Sequence, residues 1–127
     1  MQLEDAGKWP VVLVVEDDEL LRWSAMIVLE DSGYGVLEAA DAGEALATLE
    51  QRADVRIIFT DVQMPGAIDG VRLAHLVSQR WPLVKIIVTS GRMRLRQDDL
   101  PRGGVYLMKP YSATELTTAV YEVRAGG

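Results

Sequence analysis

Five short apolar runs recur along this chain, and each is followed by a polar stretch and then, in most cases, by a longer segment with helical spacing. Val11–Val15, Val55–Phe59, Val84–Val88 and Val105–Met108 are near-continuous, and Val36-Leu37-Glu38 is weaker. Runs of this length and β-branched content read as strands, the near-continuous ones as strands buried on both faces. The intervening segments have a different period. Glu19–Asp31 places Leu20, Trp23 and Ile27, with Glu30 or Leu29, along one side. Ala42–Gln51 does so with Ala45, Leu46 and Leu49, behind Asp41 as N-cap, and Val71–Arg80 with Leu73, Leu76 and Val77. Ser112–Arg124 opens on Ser112-Ala113-Thr114-Glu115, a capping-box pattern, and continues with Leu116, Ala119, Val120 and Val123. Strand followed by helix, repeated, implies right-handed crossovers and a parallel sheet covered on both faces: a doubly wound α/β fold. One unit is weak. Between Val88 and Val105 apolar positions are few and Pro101 ends any helix, so the fourth of about five helices is expected to be short or irregular.

A length of 127 residues is one domain's worth and excludes a two-domain enzyme. The single domain is expected over residues 10–124, with 1–9 a flexible N-terminal arm and Ala125-Gly126-Gly127 a frayed end. Nineteen acidic against thirteen basic residues give a net charge of -6, which argues against direct binding to nucleic acid. No cysteine is present, so disulfides and thiolate metal sites are excluded. No stretch approaches the ~18–20 apolar residues of a membrane span, and Met1–Lys8 lacks the features of a secretory signal. The expectation is a cytoplasmic protein with no membrane contact.

In an open parallel sheet, ligands collect beyond the carboxyl ends of the strands, where strand order reverses. Glu16-Asp17-Asp18-Glu19 follow the first strand, Thr60-Asp61 the third, Thr89-Ser90-Gly91 the fourth and Lys109-Pro110 the fifth. Carboxylates crowded at one edge repel unless a cation sits among them, and a hard divalent ion such as Mg2+ takes one or two carboxylates, waters and a phosphate oxygen. With Thr89 and Lys109 opposite, such a site would suit a phosphoryl group, and Asp61 is a plausible nucleophile because carboxylates form acyl phosphates.

These motifs, four in order and each at a strand end, resemble the receiver domains of two-component response regulators, the CheY-like family. The resemblance covers residues 10–124: Glu16-Asp17-Asp18, Thr60-Asp61-Val62-Gln63-Met64-Pro65 with Asp69-Gly70, Val88-Thr89-Ser90-Gly91 and Met108-Lys109-Pro110. It implies a flavodoxin-like five-stranded parallel sheet of order 2-1-3-4-5. It also implies Asp61 as phosphoacceptor from a phosphohistidine on a sensor histidine kinase or histidine phosphotransfer protein. Asp17 would be a direct Mg2+ ligand, Glu16 would act through water, and the Gln63 backbone carbonyl would complete the protein's share of the shell. Thr89 would turn toward the phosphoryl oxygen, Lys109 would pair with it, Tyr106 would be the aromatic switch, and Lys109–Pro110 would be cis. The resemblance implies a switch that changes affinity for a downstream partner, catalysing only its own phosphorylation and dephosphorylation.

The chain departs from that pattern in the Met64–Gly70 loop, one residue longer than the commonest form, and in the weak fourth helix. No DNA-binding domain follows, so the reading is a stand-alone receiver or one cut from a larger protein. Two other functions stay open: a phosphorylation-independent scaffold of receiver shape, and a phosphatase with an aspartyl nucleophile. Against the phosphatase, Gln63 cannot protonate a leaving group as a second acid would. Asp18 reads as a solvent-facing or helix-start charge, His75 as a surface or boundary residue, and Trp9, Trp23 and Trp81 as core or edge packing. Arg92, Arg94 and Arg96 read as a partner patch or a solvated segment.

Overall fold

The apolar runs pair side by side into one parallel sheet. The computed structural model describes residues 10–91 and 95–125. In chain order these form β1 (Val11–Val15), α1 (Glu19–Asp31), β2 (Gly35–Ala39), α2 (Ala42–Gln51), β3 (Val55–Asp61), α3 (Gly70–Arg80), β4 (Lys85–Ser90), β5 (Val105–Met108) and α4 (Ala113–Ala125). The sheet order is β2-β1-β3-β4-β5, and every pair is parallel. This is the order expected for a flavodoxin-like fold. The weak unit between β4 and β5 contains, among the described residues, only a 3-10 turn at Gln97–Asp99. The arm expected over 1–9, Trp9 included, lies outside the described residues, as do Arg92 and Arg94; Arg96 is exposed.

Alternation along the strands builds the two layers. Leu13, Val15 and Ile58 face one way and pack on Ala45 and Leu49 of α2 and on Leu73 and Val77 of α3. Val12, Val14, Ile57, Phe59 and Ile87 face the other way, onto Leu29 of α1 and onto Leu116 and Val120 of α4. Each such side chain, fully removed from water, contributes ~1.5–3 kcal/mol. The helix starts are closed by their own side chains. Asp18, Asp41 and Asp69 accept from the backbone N–H groups of Leu21, Glu44 and Arg72 at 3.0, 2.9 and 2.9 Å. Ser112 and Glu115 form the expected reciprocal box. Asp18 is therefore the N-cap of α1.

In α1 the burial differs from the expected stripe. Leu20, Trp23 and Ile27 are 74%, 52% and 56% exposed, and the buried residues are Ala25 and Leu29. The helix carries two apolar stripes, and small Ala25 lets its backbone approach the Val12–Val14 surface more closely than Trp23 could. Trp81 is half-buried, with the Arg80 guanidinium 4.5 Å above its ring. His75 is likewise half-buried and donates from Nε2 to the Asp99 carbonyl at 2.9 Å, tying α3 to the 3-10 turn.

Candidate functional site

Strand register assembles the site. Val15 pairs with Thr60 and Thr60 with Val88, while Asp61 pairs with Thr89. One rung beyond Val15, Glu16 comes beside Asp61, so Glu16, Asp61 and Thr89 form a row across β1, β3 and β4. Residues opposite one another in neighbouring strands share a face, which sets these side chains on the same side. Lys109 enters from the end of β5, anchored by its N–H to the Ser90 carbonyl at 3.1 Å and by a cis bond to Pro110. Thr60, Asp61, Thr89 and Ser90, expected just after their strands, belong to the last rungs of β3 and β4. The site is thus mounted on ladder-bonded backbone. It lies where strand order reverses between β1 and β3, as expected for this architecture.

One carboxylate oxygen each from Glu16, Asp17 and Asp61 lies within 4.8 Å of the others. The Lys109 ammonium reaches Glu16 Oε1 at 3.1 Å and Asp61 Oδ2 at 3.2 Å. The side chains of Glu16 and Asp61 are each only 8% exposed. Burial pushes the Glu16 carboxyl above its ordinary pKa, against the Asp18 N–H and Lys109, and the Asp61 charge adds to the rise. Burial pulls the Lys109 ammonium down, but its hydrogen bond to Glu16 and the charges of Asp61 and Glu16 outweigh this and hold it above its usual value. Three carboxylates thus face one ammonium. A cluster of oxygen donors alone suits a hard divalent cation, and these residues fit one.

Thr89 stands beside Asp61 as its register partner on the neighbouring strand. Among the described residues, Thr89 Oγ1 is the one buried side-chain polar atom with no hydrogen-bond partner. An unpaired buried hydroxyl is costly, so it is a donor ready for an incoming oxygen. Gln63 stands two residues past Asp61 on the loop to α3, its side chain exposed. Tyr106 is half-buried against the α2/α3 layer and donates to the Ser90 carbonyl at 3.0 Å. Asp17 is exposed and lies on the loop after β1.

Two neighbours of the cluster escape a reading by motif. Tyr111 packs edge-on against Phe59 with ring centroids 5.6 Å apart. Its phenol is pushed up to about 12, by burial first, with Lys109 opposing and Glu16 and Asp61 adding to the rise. With Leu21, Ser24, Gly91, Lys109 and Pro110 it lines a hollow of 460 Å³ beside the cluster. Its place two residues after Lys109 is a signal that could have found it. Arg22 reaches the site from α1 and has no comparable signal, since an arginine in a helix reads as a solvated charge.

A doubly wound sheet with acids, a hydroxyl and a lysine at its switch point is a phosphoryl- or nucleotide-handling architecture in general. The family is more specific: the response regulator receiver domain model matches residues 12–121, and the chain belongs to that family. It is 35% identical over 116 residues to the sensor kinase CckA of Brucella abortus, covering 88% of this chain and 12% of that kinase. It is 31% identical to the solved receiver domain of the hybrid histidine kinase CckA, covering 89% of this chain and 97% of that one, with a TM-score of 0.75. A response regulator receiver protein from Sinorhizobium medicae shares the fold with a TM-score of 0.84 at 23% identity, covering 91% of this chain and 94% of that one. The chain spans 12%, 18% and 24% of three curated relatives it matches. It is a receiver domain of two-component signalling. No described helix is long and apolar enough to cross a membrane.

Proposed function

We propose that Asp61 is the phosphoacceptor, receiving a phosphoryl group from a phosphohistidine on a sensor histidine kinase or histidine phosphotransfer protein, with Mg2+ as cofactor. The observation that carries this is the convergence of Glu16, Asp17 and Asp61 within 4.8 Å beside the Lys109 ammonium. Asp17 and Asp61 would hold the ion, with Glu16 acting through water and the Gln63 carbonyl completing the protein's share. When bound, the ion supplies positive charge to the phosphoryl oxygens. Lys109 engages Asp61 Oδ2, and no hydrogen bond among the described residues reaches Oδ1, which is left as the attacking atom. Oδ1 donates an electron pair to phosphorus, the P–N bond breaks, and its electrons return to the donor imidazole. Lys109 then pairs with a phosphoryl oxygen, and the unpartnered Thr89 hydroxyl donates to another.

Movement of Thr89 toward the phosphoryl group changes the surroundings of Tyr106, whose register partner is Val88, and so alters the β4–β5 surface. A downstream protein reads that change. The receiver unit is residues 10–124, it is not an enzyme in the ordinary sense, and a cytoplasmic location belongs to the same reading. The histidine-bearing partner docks along α1, where Leu20, Trp23 and Ile27 present an apolar stripe, with the hollow lined by Leu21, Ser24 and Tyr111 adjoining Lys109.

Incubation with acetyl phosphate and Mg2+ should label the protein once, and Asp61→Ala should abolish labelling. Labelling that survives the substitution would point to another acceptor. Equal partner affinity with and without a beryllofluoride mimic would favour the phosphorylation-independent scaffold.

A further inference from the structure

We infer that Arg22, held by Glu38, is the positioning residue for the acid pair Glu16-Asp17. This rests on the metal-binding reading above and deepens it. The β1–β2 ladder ends at Glu16, whose N–H donates to the Ala39 carbonyl at 3.0 Å. The next rung of a parallel ladder would satisfy the Glu16 carbonyl from Asp41, but there the chain has turned to become the N-cap of α2. Arg22 takes that place. Its Nη1 donates to the Glu16 carbonyl at 2.8 Å, and its Nε donates to Glu38 Oε1, also at 2.8 Å. The guanidinium side chain is only 12% exposed.

The consequence falls on Asp17. The Glu16 carbonyl and the Asp17 N–H belong to one rigid peptide plane, so fixing the carbonyl fixes the direction in which Asp17 leaves the strand. The Asp17 side chain makes no hydrogen bond or ion pair among the described residues. Its carboxylate oxygen lies within 4.8 Å of those of Glu16 and Asp61 with no side-chain partner among the described residues to hold it, so the direction of the backbone and its own rotamer place it. Arg22 donates two hydrogen bonds in a planar fork, one aimed at this carbonyl and one at β2, which a lysine cannot do. Glu38 at the sheet edge holds the fork in place, so β2 contributes to the geometry of a site it does not reach.

The test is Mg2+ titration by calorimetry of the whole chain, paired with urea unfolding in EDTA. Arg22→Met keeps the aliphatic stem and removes both donors. It should weaken Mg2+ binding about tenfold or more, the usual effect of losing a group that orients a ligand. Arg22→Lys should recover part of that loss, and Glu38→Ala, a change at an exposed residue, should produce a smaller one. The loss must exceed what the unfolding curves explain. Arg22→Met and Glu38→Ala binding Mg2+ as tightly as the parent would overturn the inference and leave the metal-binding reading standing. A parent chain that binds no divalent ion would overturn both. Affinity falling only in step with the folded fraction would reduce Arg22 to a stabilising role and overturn the inference.

Discussion

At the scale of single residues, the position of Asp61 depends on a glycine as much as on its own strand. Gly70 opens α3 with its N–H on the Val62 carbonyl at 2.8 Å. A Cβ built there would stand 1.9 Å from the Asp61 carbonyl oxygen and 2.8 Å from the Val62 Cα, both backbone atoms that cannot swing aside. Only glycine lets the start of α3 lie this close to the strand that carries Asp61. Gly70→Ala should therefore destabilise the fold by about 2–3 kcal/mol in urea titrations, in the range of overpacked sites. It should also reduce Asp61 labelling in the fraction that remains folded, because the clash pushes on Asp61 itself. A variant as stable and as readily labelled as the parent would refute this account of the Asp69-Gly70 pair.

At the scale of elements, α1 serves two surfaces at once. Ala25 and Leu29 close the core, Asp18 and Arg22 shape the site, and Leu20, Trp23 and Ile27 remain open to solvent. Exposed apolar residues on successive turns form a continuous patch of the kind that marks a docking surface. Ile27→Glu should slow phosphoryl transfer from a phosphohistidine-bearing protein by at least about tenfold, the effect of losing an apolar anchor worth ~1.4 kcal/mol. Labelling by acetyl phosphate, which needs no docking face, should stay at the parent rate. Equal slowing with both donors would place the effect in the site instead of the surface. The 3-10 turn that stands between β4 and β5 is tied down by different means. Asp99 accepts from the Arg96 N–H at 2.8 Å and His75 donates to the Asp99 carbonyl, while Leu100 is buried in the core and Leu95 packs against it, so the described part of this connection is held by polar contacts and two leucines without a regular helix face.

For the whole molecule, function and stability pull against each other at the carboxyl edge of the sheet. The core gains stability by burying β-branched strands, while the same strands deliver three carboxylates to one cluster. A bound divalent ion relieves that repulsion in the folded chain only, so it should stabilise by mass action. At ten times its dissociation constant Mg2+ should add ~1.4 kcal/mol, or about 5 °C in the unfolding midpoint. The sign with pH follows from Glu16. Its folded pKa is raised, so its contribution to stability is full below the unfolded value of 4.5 and is lost as pH rises through the folded value. If Mg2+ occupies this cluster as proposed, protons compete with it to relieve the same strain, and the midpoint shift on adding Mg2+ should be larger at pH 7 than at pH 4.5. A shift of equal size at both, measured by calorimetry, would show that the ion acts elsewhere.

Much of this was written locally in the chain. The β-branched runs, the Asp18, Asp41 and Asp69 caps, the Ser112–Glu115 box and the acids, hydroxyl and lysine at successive strand ends are all set by near neighbours in sequence. Period and capping are short-range properties, so the order of elements and most of the cluster were legible before any tertiary contact was known. Tertiary structure decided which of two apolar stripes α1 turns inward, because burial depends on the shape of the facing sheet and periodicity is blind to it. It also decided that Arg22 completes a rung between strands joined only through a helix and a turn. A side chain that bonds to residues 6 and 16 positions away leaves no pattern in its own neighbourhood, and only the folded sheet brings its partners within reach.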